Sequence, residues 1–390
     1  MCKTTIFYIK SLKTIDISGL RLYIYNRTRE RKRLKNVSQI LAERYNGRVV
    51  ADMVSIKDIA AECGVSIATV SKALNNHRDV SEATKAHIRE TAKKMGYLPN
   101  YQARALKTNR TYNLGVLFNE RANSGLTHNY FAAVLDAFKR VAETQGYDIT
   151  FISHNIGFNQ LTVYEHCISR NVDGVMVANI DDYNDEGVAQ LLKSSIPIVT
   201  LDIKTEDKPA VISDNYKGVE CLVKYVRKMG HEKIAYIYGD QSSVTSTRVD
   251  AFRRTMESLN IKIREDYLLG GCYRDPKTTE TLVEQLMKMS DPPTCILLPD
   301  DFSAIGALNA FERLGLSVPD DISVAGYDGI TLSQVLSPKL TTFKQDTDGL
   351  GKAAAEQLIS LINKELPETA EPVVIEGYLL EGASVRDLTK

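Results

Sequence analysis

At 390 residues the chain exceeds one ordinary domain, and two or three folding units are expected. With 43% hydrophobic and 25% charged residues it reads as a soluble globular protein, and no stretch reaches the roughly 18 apolar residues of a membrane span. A formal net charge of zero taken alone argues against a nucleic-acid binder. That average hides an asymmetry: residues 1–52 sum to +8, residues 53–111 to +5 and residues 112–390 to −13. A basic front on an acidic body suits a protein that offers one end to DNA and keeps the other off it. The six cysteines (Cys2, Cys63, Cys167, Cys221, Cys272 and Cys295) are scattered without a CxxC pair, which favours a reducing cytosol over disulfides or metal ligation.

Residues 1–52 contain IDISGLRLYIY, the basic cluster RTRERKRLK and NVSQILAERY. They lack the continuous apolar region of a signal peptide. The basic run could track phosphates; the simpler expectation is a disordered or poorly packed extension, with the natural chain starting at Met53.

The stretch from Ile56 to Asn75, IKDIAAECGVSIATVSKALN, organises the chain. Ile59 and Ala60 open an apolar helical face, Gly64 breaks it, and a second helix runs from Ser66 to Leu74. Two short helices joined by a tight glycine turn make a helix-turn-helix, whose second helix can enter a major groove. A third helix is predicted from Ser81 to Met95, capped by Ser81 and closed at Gly96. Ile59, Ala60, Val65, Val70, Leu74, Val80, Ile88, Ala92 and Tyr97 would form the small core. Ile67, Ala68 and Lys72 are left on the exposed side of helix two, where an apolar pair can pack on a thymine methyl. Ser55, Ser66, Thr69, Ser71, Asn75 and Ser81 carry short polar groups suited to phosphates, which fix register and not sequence.

These residues, with VSEATKAHIRETAKKMGYLPN and YQARALKT after them, resemble the DNA-binding headpiece of the lac repressor/gal repressor (LacI/GalR) family. From Tyr112 onward the chain resembles the same family's effector-binding core. The resemblance implies that Ile67, Ala68 and Lys72 read bases. Lys72 departs from the arginine common there, and a point charge discriminates guanine less sharply than a bidentate fork. It implies too that the segment 100–111 is a hinge that folds when two subunits meet on DNA, Leu106 wedging into the minor groove with Ala103 beside it.

In the body, apolar strand candidates (Leu114–Phe118, Ile149–Ile152, Gly174–Val177, Ile198–Leu201, Ala210–Ile212, Ile234–Tyr238, Cys295–Leu298, Ser323–Gly326, Leu340–Phe343) alternate with amphipathic helices. Buried, unalternating strands in that order mean doubly wound parallel sheets, two at this length. The handover is expected near Asp214. The resemblance adds two more crossings, near Val318 and Gln345, and a cleft like that of periplasmic sugar-binding proteins. The expected fold class is thus α/β: an all-α helix-turn-helix headpiece at 53–99, the hinge, and a periplasmic-binding-protein-like core. One core subdomain would take residues 112–213 plus 319–345 and the other 214–318 plus 346–390.

Ligands bind outside the carboxyl ends of such strands. Arg248 could hold hydroxyls or a carboxylate in fork geometry. Asp301 in LLPDDFSAIG matches the family's effector aspartate, beside Asp300 where an asparagine or glycine is usual, and Tyr273 matches the aromatic that stacks on the ligand. The loop GLTHNYF adds His128, Asn129, Tyr130 and Phe131. Asp181, Asp182 and Asp185 read as a solvated acidic loop. There is no GxSxG, P-loop or HExxH, and no metal-like spacing among His77, His87, His128, His154, His166 and His231, so neither enzyme chemistry, nor a cofactor, nor a metal is expected.

The sequence thus predicts a cytoplasmic transcriptional regulator, a repressor, that binds a near-palindromic double-stranded operator as a homodimer. A small effector, a sugar or sugar derivative, would occupy the cleft, with no membrane partner. Two rivals make different predictions. A solute-binding protein would not be retained on DNA, and a sugar-modifying enzyme would turn substrate over.

Overall fold

The computed structural model describes residues 54–97, 110–118, 125–156, 159–180, 185–205, 207–367 and 371–390, with the backbone of 12–17 and 20–25. The chain divides into two compact units, Met1–Asn100 and Tyr101–Lys390. In the first, β1 (Leu12–Ile17) and β2 (Leu20–Tyr25) pair antiparallel, where the sequence suggested no order; the rest of 1–52 lies outside the described residues.

The helical part of this unit comprises α1 (Ile56–Cys63), α2 (Ile67–Leu74) and α3 (Glu82–Lys94). Each starts on a serine whose hydroxyl accepts from a backbone amide three residues on: Ser55 from Asp58, Ser66 from Thr69 and Ser81 from Thr84. Such caps satisfy amides that have no partner inside the helix. Gly64 ends α1 at φ +66°, and a Cβ there would touch nothing within 4 Å. The turn therefore demands glycine for its left-handed backbone and not for space. Ile59, Ala60, Val70, Ala73, Val80, Ile88 and Ala92 form the core, with Val65, Leu74 and Tyr97 half-buried against it.

In the second unit the elements alternate. In chain order they are β3 (Asn113–Phe118), α4 (Asn129–Thr144), β4 (Asp148–Ile152), β5 (Asn155–Ile156), β6 (Asn159–Gln160), α5 (Val163–Arg170), β7 (Gly174–Asn179), α6 (Glu186–Leu192), β8 (Ile198–Leu201) and β9 (Ala210–Ser213). Then follow α7 (Asn215–Lys228), β10 (Ile234–Tyr238), α8 (Ser243–Ser258), β11 (Leu268–Gly270), α9 (Pro276–Met287), β12 (Cys295–Leu297), α10 (Ala304–Leu314), β13 (Ser323–Asp328), α11 (Thr331–Val335) and β14 (Thr341–Lys344). Last come α12 (Thr347–Ile362), β15 (Val373–Ile375) and β16 (Tyr378–Leu380).

Two six-stranded sheets result, in the orders β15-β9-β8-β7-β3-β4 and β11-β10-β12-β13-β14-β16. The first is parallel throughout. The second is parallel except where β16 returns along β14. The central strands are buried along all or nearly all of their length, as two-sided packing by helices requires.

The subdomain boundaries differ from those read in the sequence. Residues 319–345 do not join the first sheet. β13 pairs in register with β12 (Cys295↔Ser323), and β14 pairs with β13 (Ala325↔Thr341), so both extend the second sheet and no crossing occurs near Val318. The chain crosses after β14. Leu350, Ala354 and Leu358 of α12 enter the core of the first sheet, and β15 adds to that sheet's edge. α12 lies so close to α4 that a Cβ on Gly351 would stand 2.2 Å from the Val134 carbonyl. A last crossing between β15 and β16 returns residues 378–390 to the second sheet. The first subdomain thus holds residues up to β9 plus α12 and β15; the second holds α7 to β14 plus the terminal segment.

Candidate functional site

Two surfaces carry chemistry. The first is the outer face of α2. Ile67 is 50% exposed, Ala68 is exposed, and the Lys72 side chain is 49% exposed. An isoleucine in that position contributes nothing to the headpiece core, whose contact face is made by Val70, Ala73 and Leu74. Lys72 reaches across to the Asp79 carboxylate. Of the residues read as phosphate-directed, Ser66 and Thr69 share a 2.8 Å hydroxyl contact, and Asn75 donates its side-chain amide to the Ser71 carbonyl at 2.7 Å. Ser55 donates its hydroxyl to Asp58 at 2.6 Å and Ser81 pairs with the Thr84 hydroxyl at 2.8 Å. These groups first fix the helix starts; all but the half-buried Ser55, Thr69 and Ser71 are exposed. Ala103, Leu106 and the hinge 100–109 lie outside the described residues.

The second surface is a cleft of about 250 Å³ at the carboxyl ends of both sheets. The first subdomain supplies His128, Tyr130 and Phe131 from the start of α4, Ala178 to Ile180 at the carboxyl end of β7, and Asp202 and Ile203 after β8. Tyr130 donates its hydroxyl to Asp202 at 2.9 Å, and Ser213 donates its amide to the same carboxylate at 2.7 Å. Phe131 packs edge-on to His128 and against Phe118, making an apolar wall. Burial, then the charge of Arg274, pushes His128 down to about 3, so its ring stays neutral.

The second subdomain supplies the opposite wall. Arg248, on α8, is 5% exposed. It donates Nε to Asn215 Oδ1 at 2.8 Å and Nη1 to the Pro299 carbonyl at 3.3 Å, and its guanidinium lies 3.7 Å from the Tyr327 ring centroid. Tyr273 follows β11, its hydroxyl 2.9 Å from Thr245 Oγ1. Asp300 accepts from the Arg274 amide at 2.7 Å and the Ser303 amide at 2.8 Å. Asp328 ends β13 at φ +102° and accepts from Gln345 Nε2 at 2.7 Å. Burial pushes its carboxyl up to about 7, against the opposing pull of Arg248. Among the described residues neither Arg248 nor Arg274 forms an ion pair, although both line a cleft containing four aspartates.

The cleft gathers most, but not all, of the residues read from sequence. His128, Tyr130, Phe131, Arg248 and Tyr273 line it. Asn129 does not: it opens α4 with an exposed side chain. Asp301 does not either. It is fully buried behind the floor, accepting from Thr342 Oγ1 at 2.6 Å and the Ile330 amide at 2.9 Å. Its neighbour Asp300 faces the cleft instead. Asp185 caps α6, and Asp181 and Asp182 lie outside the described residues. Sequence reading missed Asp202, Asp240, Asp328, Arg274 and Gln345. Three had a visible signal: Asp202 and Asp240 stand one and two residues beyond β8 and β10, and Asp328 is the last residue of β13, at the strand ends where ligands of such folds bind.

Known proteins share this arrangement. Residues 55–100 match the family "Bacterial regulatory proteins, lacI family", and residues 223–385 match a "Periplasmic binding protein-like domain". Over 341 residues the chain is 33% identical to the "Probable HTH-type transcriptional repressor ExuR" of Bacillus subtilis (strain 168), covering 86% of this chain and 100% of that protein. It is 32% identical over 341 residues to the HTH-type transcriptional repressor PurR of Pectobacterium carotovorum subsp. carotovorum (strain PC1), covering 86% and 98%. A crystal structure of the lac repressor dimer bound to operator and an anti-inducer has the same fold, with a TM-score of 0.70 at 24% identity over 85% of this chain and 99% of that one. A transcriptional regulator CelR–cellobiose complex follows, with a TM-score of 0.63 at 22% identity over 85% and 99%. Among the described residues no helix is long and apolar enough to cross a membrane. Headpiece, two-sheet core and relatives agree: the chain belongs to the LacI family, DNA-binding transcriptional repressors, not enzymes, whose hold on DNA answers to a small molecule in the periplasmic-binding-protein-like core.

Proposed function

We propose that this repressor works in the cytoplasm as a homodimer on a near-palindromic operator, and that its effector is a sugar or sugar derivative. Paired headpieces would set α2 of each subunit in successive major grooves, with Ile67 and Ala68 on thymine methyls and Lys72 toward guanine. Ser55, Ser66, Thr69, Ser71, Asn75 and Ser81 would meet phosphates, and Ala103 and Leu106 of the hinge would enter the minor groove.

The observation that carries the effector class is the composition of the cleft. Aspartate acceptors and the Arg248 guanidinium converge on a small space walled by Tyr273 and Phe131. A ligand rich in hydroxyls satisfies both the acceptors and the donor, and its apolar face stacks on an aromatic ring. At about 250 Å³ the space lies just under the roughly 300–1,000 Å³ typical of ligand pockets, which favours one small metabolite. Asp300 and Asp328 on one wall and Asp202 on the other give a polyhydroxylated ring acceptors from both sheets.

The test is a thermal-shift screen of the full-length protein against neutral sugars and their sugar-acid counterparts. It is followed by operator titration with and without each compound that raises the melting temperature. A compound from either class that raises the melting temperature and alters operator affinity supports the reading, since coupling between two sites is reciprocal. A protein that ignores every sugar, or that binds one with no change in operator affinity, refutes it.

A further inference from the structure

We propose that Asp79 is a specificity-determining residue acting through Lys72: it holds the lysine ammonium in place, so that the pair reads a G·C step as one unit. The inference rests on the reading that α2 lies in the major groove.

The geometry is built, not incidental. The chain leaving α2 folds back on the helix end, with the Asn76 amide on the Ala73 carbonyl at 3.2 Å and the His77 amide on the Lys72 carbonyl at 3.0 Å. Asn76 takes φ +57°, and Arg89 of α3 donates to its side-chain oxygen at 3.1 Å. Val80, 9% exposed, then anchors the loop in the headpiece core, and Ser81 caps α3. Asp79 is thus fixed from both sides and meets Lys72 Nζ. Both side chains remain about half exposed, 49% and 53%, so the pair contributes little to folding.

A carboxylate on a face that meets phosphates is electrostatically unfavourable. It cancels the lysine charge and gives up roughly one phosphate's worth of counterion release. Arg78 and His77 beside it are exposed, and no described ion pair draws Asp79 toward either of them. What the carboxylate supplies is direction. A lysine is a point charge on a flexible stem and reads bases poorly, whereas a tethered ammonium is a fixed donor. Guanine offers N7 and O6 as acceptors for that donor, and its paired cytosine offers an N4 donor to the carboxylate. A lysine–aspartate pair therefore carries the complement of a whole G·C pair.

The experiment selects duplexes from a random library with the full-length protein and its D79N, D79E, K72A and K72A/D79N variants. Each protein is then titrated against salt on the enriched duplex and on a scrambled one. Circular dichroism confirms that the variants fold. D79N is expected to relax one G·C position by roughly tenfold, to bind the scrambled duplex more tightly, and to steepen its logarithmic salt slope by about 0.9. D79E restores the preference, and K72A/D79N behaves like K72A. A motif enriched by the unaltered protein and left unchanged by D79N, with the same salt slope, overturns the pairing alone. A D79N effect that persists in the K72A background overturns action through the lysine. If the unaltered protein enriches no motif, the major-groove reading falls, and the inference falls with it.

Discussion

Asp301→Ala separates a ligand contact from a structural carboxyl. The family resemblance implied that Asp301 binds the effector, so that its loss would silence the effector response. The structure predicts a loss of stability instead. The carboxyl is fully buried and is the acceptor for both Thr342 Oγ1, at 2.6 Å, and the Ile330 amide, at 2.9 Å. Alanine leaves the buried Thr342 hydroxyl and the partly buried Ile330 amide without this acceptor, at about 1–3 kcal/mol each. Removing a carboxyl that burial holds well above the usual range offsets part of this, leaving a net of about 2–4 kcal/mol. For a domain of this size each kcal/mol lowers the melting temperature by about 2–4 °C. Thermal unfolding of the ligand-free protein should therefore show a drop of roughly 4–16 °C. Asp301→Asn keeps one acceptor oxygen, and the Thr342 hydroxyl can turn to accept from the amide, so its drop should be much smaller. Should Asp301→Ala melt with the unaltered protein yet lose the ligand-induced shift, the structural assignment is wrong.

Arg248→Ala should preserve operator binding and weaken the effector by roughly 10- to 100-fold, the loss of one charge-assisted hydrogen bond at about 1.5–3 kcal/mol. Calorimetric titration with the screened sugar reads this directly, and an unchanged affinity would remove Arg248 from the site. Asp328→Asn tests the buried carboxyl at the cleft floor. Its folded pKa, near 7, lies above the roughly 3.9 of an unfolded aspartate. The stability it contributes is therefore full below about pH 4 and is lost as pH rises toward 7. Burial lowers His128, His166 and His231, which pull the opposite way as pH falls, so the difference between variant and parent isolates Asp328. Between pH 5 and 7 Asp328→Asn should gain about 2 kcal/mol on the parent in denaturant unfolding, and a pH-independent difference would show the carboxyl to be ionised throughout.

The headpiece was legible because its signals are local. Ser55, Ser66 and Ser81 cap the helices, and Gly64 alone satisfies the backbone of the turn, so helix bounds follow from neighbours in sequence. Ala73 escaped the core list because a single methyl gives no strong pattern, yet it is fully buried. In the body most strands were readable, but their sheet was not. β9 and β13 are both short apolar runs, and nothing local says that β13 joins β12 while α12 returns to the first sheet. The three-residue strands β11, β15 and β16 are too short to show any period. The cleft suffered most, since Asp202, Asp240, Asp328 and Gln345 meet from strand ends far apart in the chain. The Asp300–Asp301 pair shows the limit most sharply: two adjacent carboxyls, one facing ligand space and one facing the core, distinguished only by the direction of the chain leaving β12.

The remaining question is how a ligand in the cleft can reach the DNA, and the crossing after β14 supplies a physical route. Gln345 stands at that crossing. It bonds Asp328 twice, through its side chain at 2.7 Å and through its backbone amide to the Asp328 carbonyl at 3.2 Å. A ligand held by Asp328 thus bears on the segment that joins the two subdomains. A ligand shifts a conformational equilibrium only by its differential affinity for the two states. One that touched a single wall would bind open and closed forms alike and change nothing. Here His128, Tyr130 and Asp202 lie on one wall, and Arg248, Tyr273 and Asp300 on the other. A small ring bridging them would form its second set of contacts only on closure. Two hydrogen bonds to charged groups made in that state alone are worth about 3 kcal/mol, which suffices for a roughly 100-fold change in operator affinity.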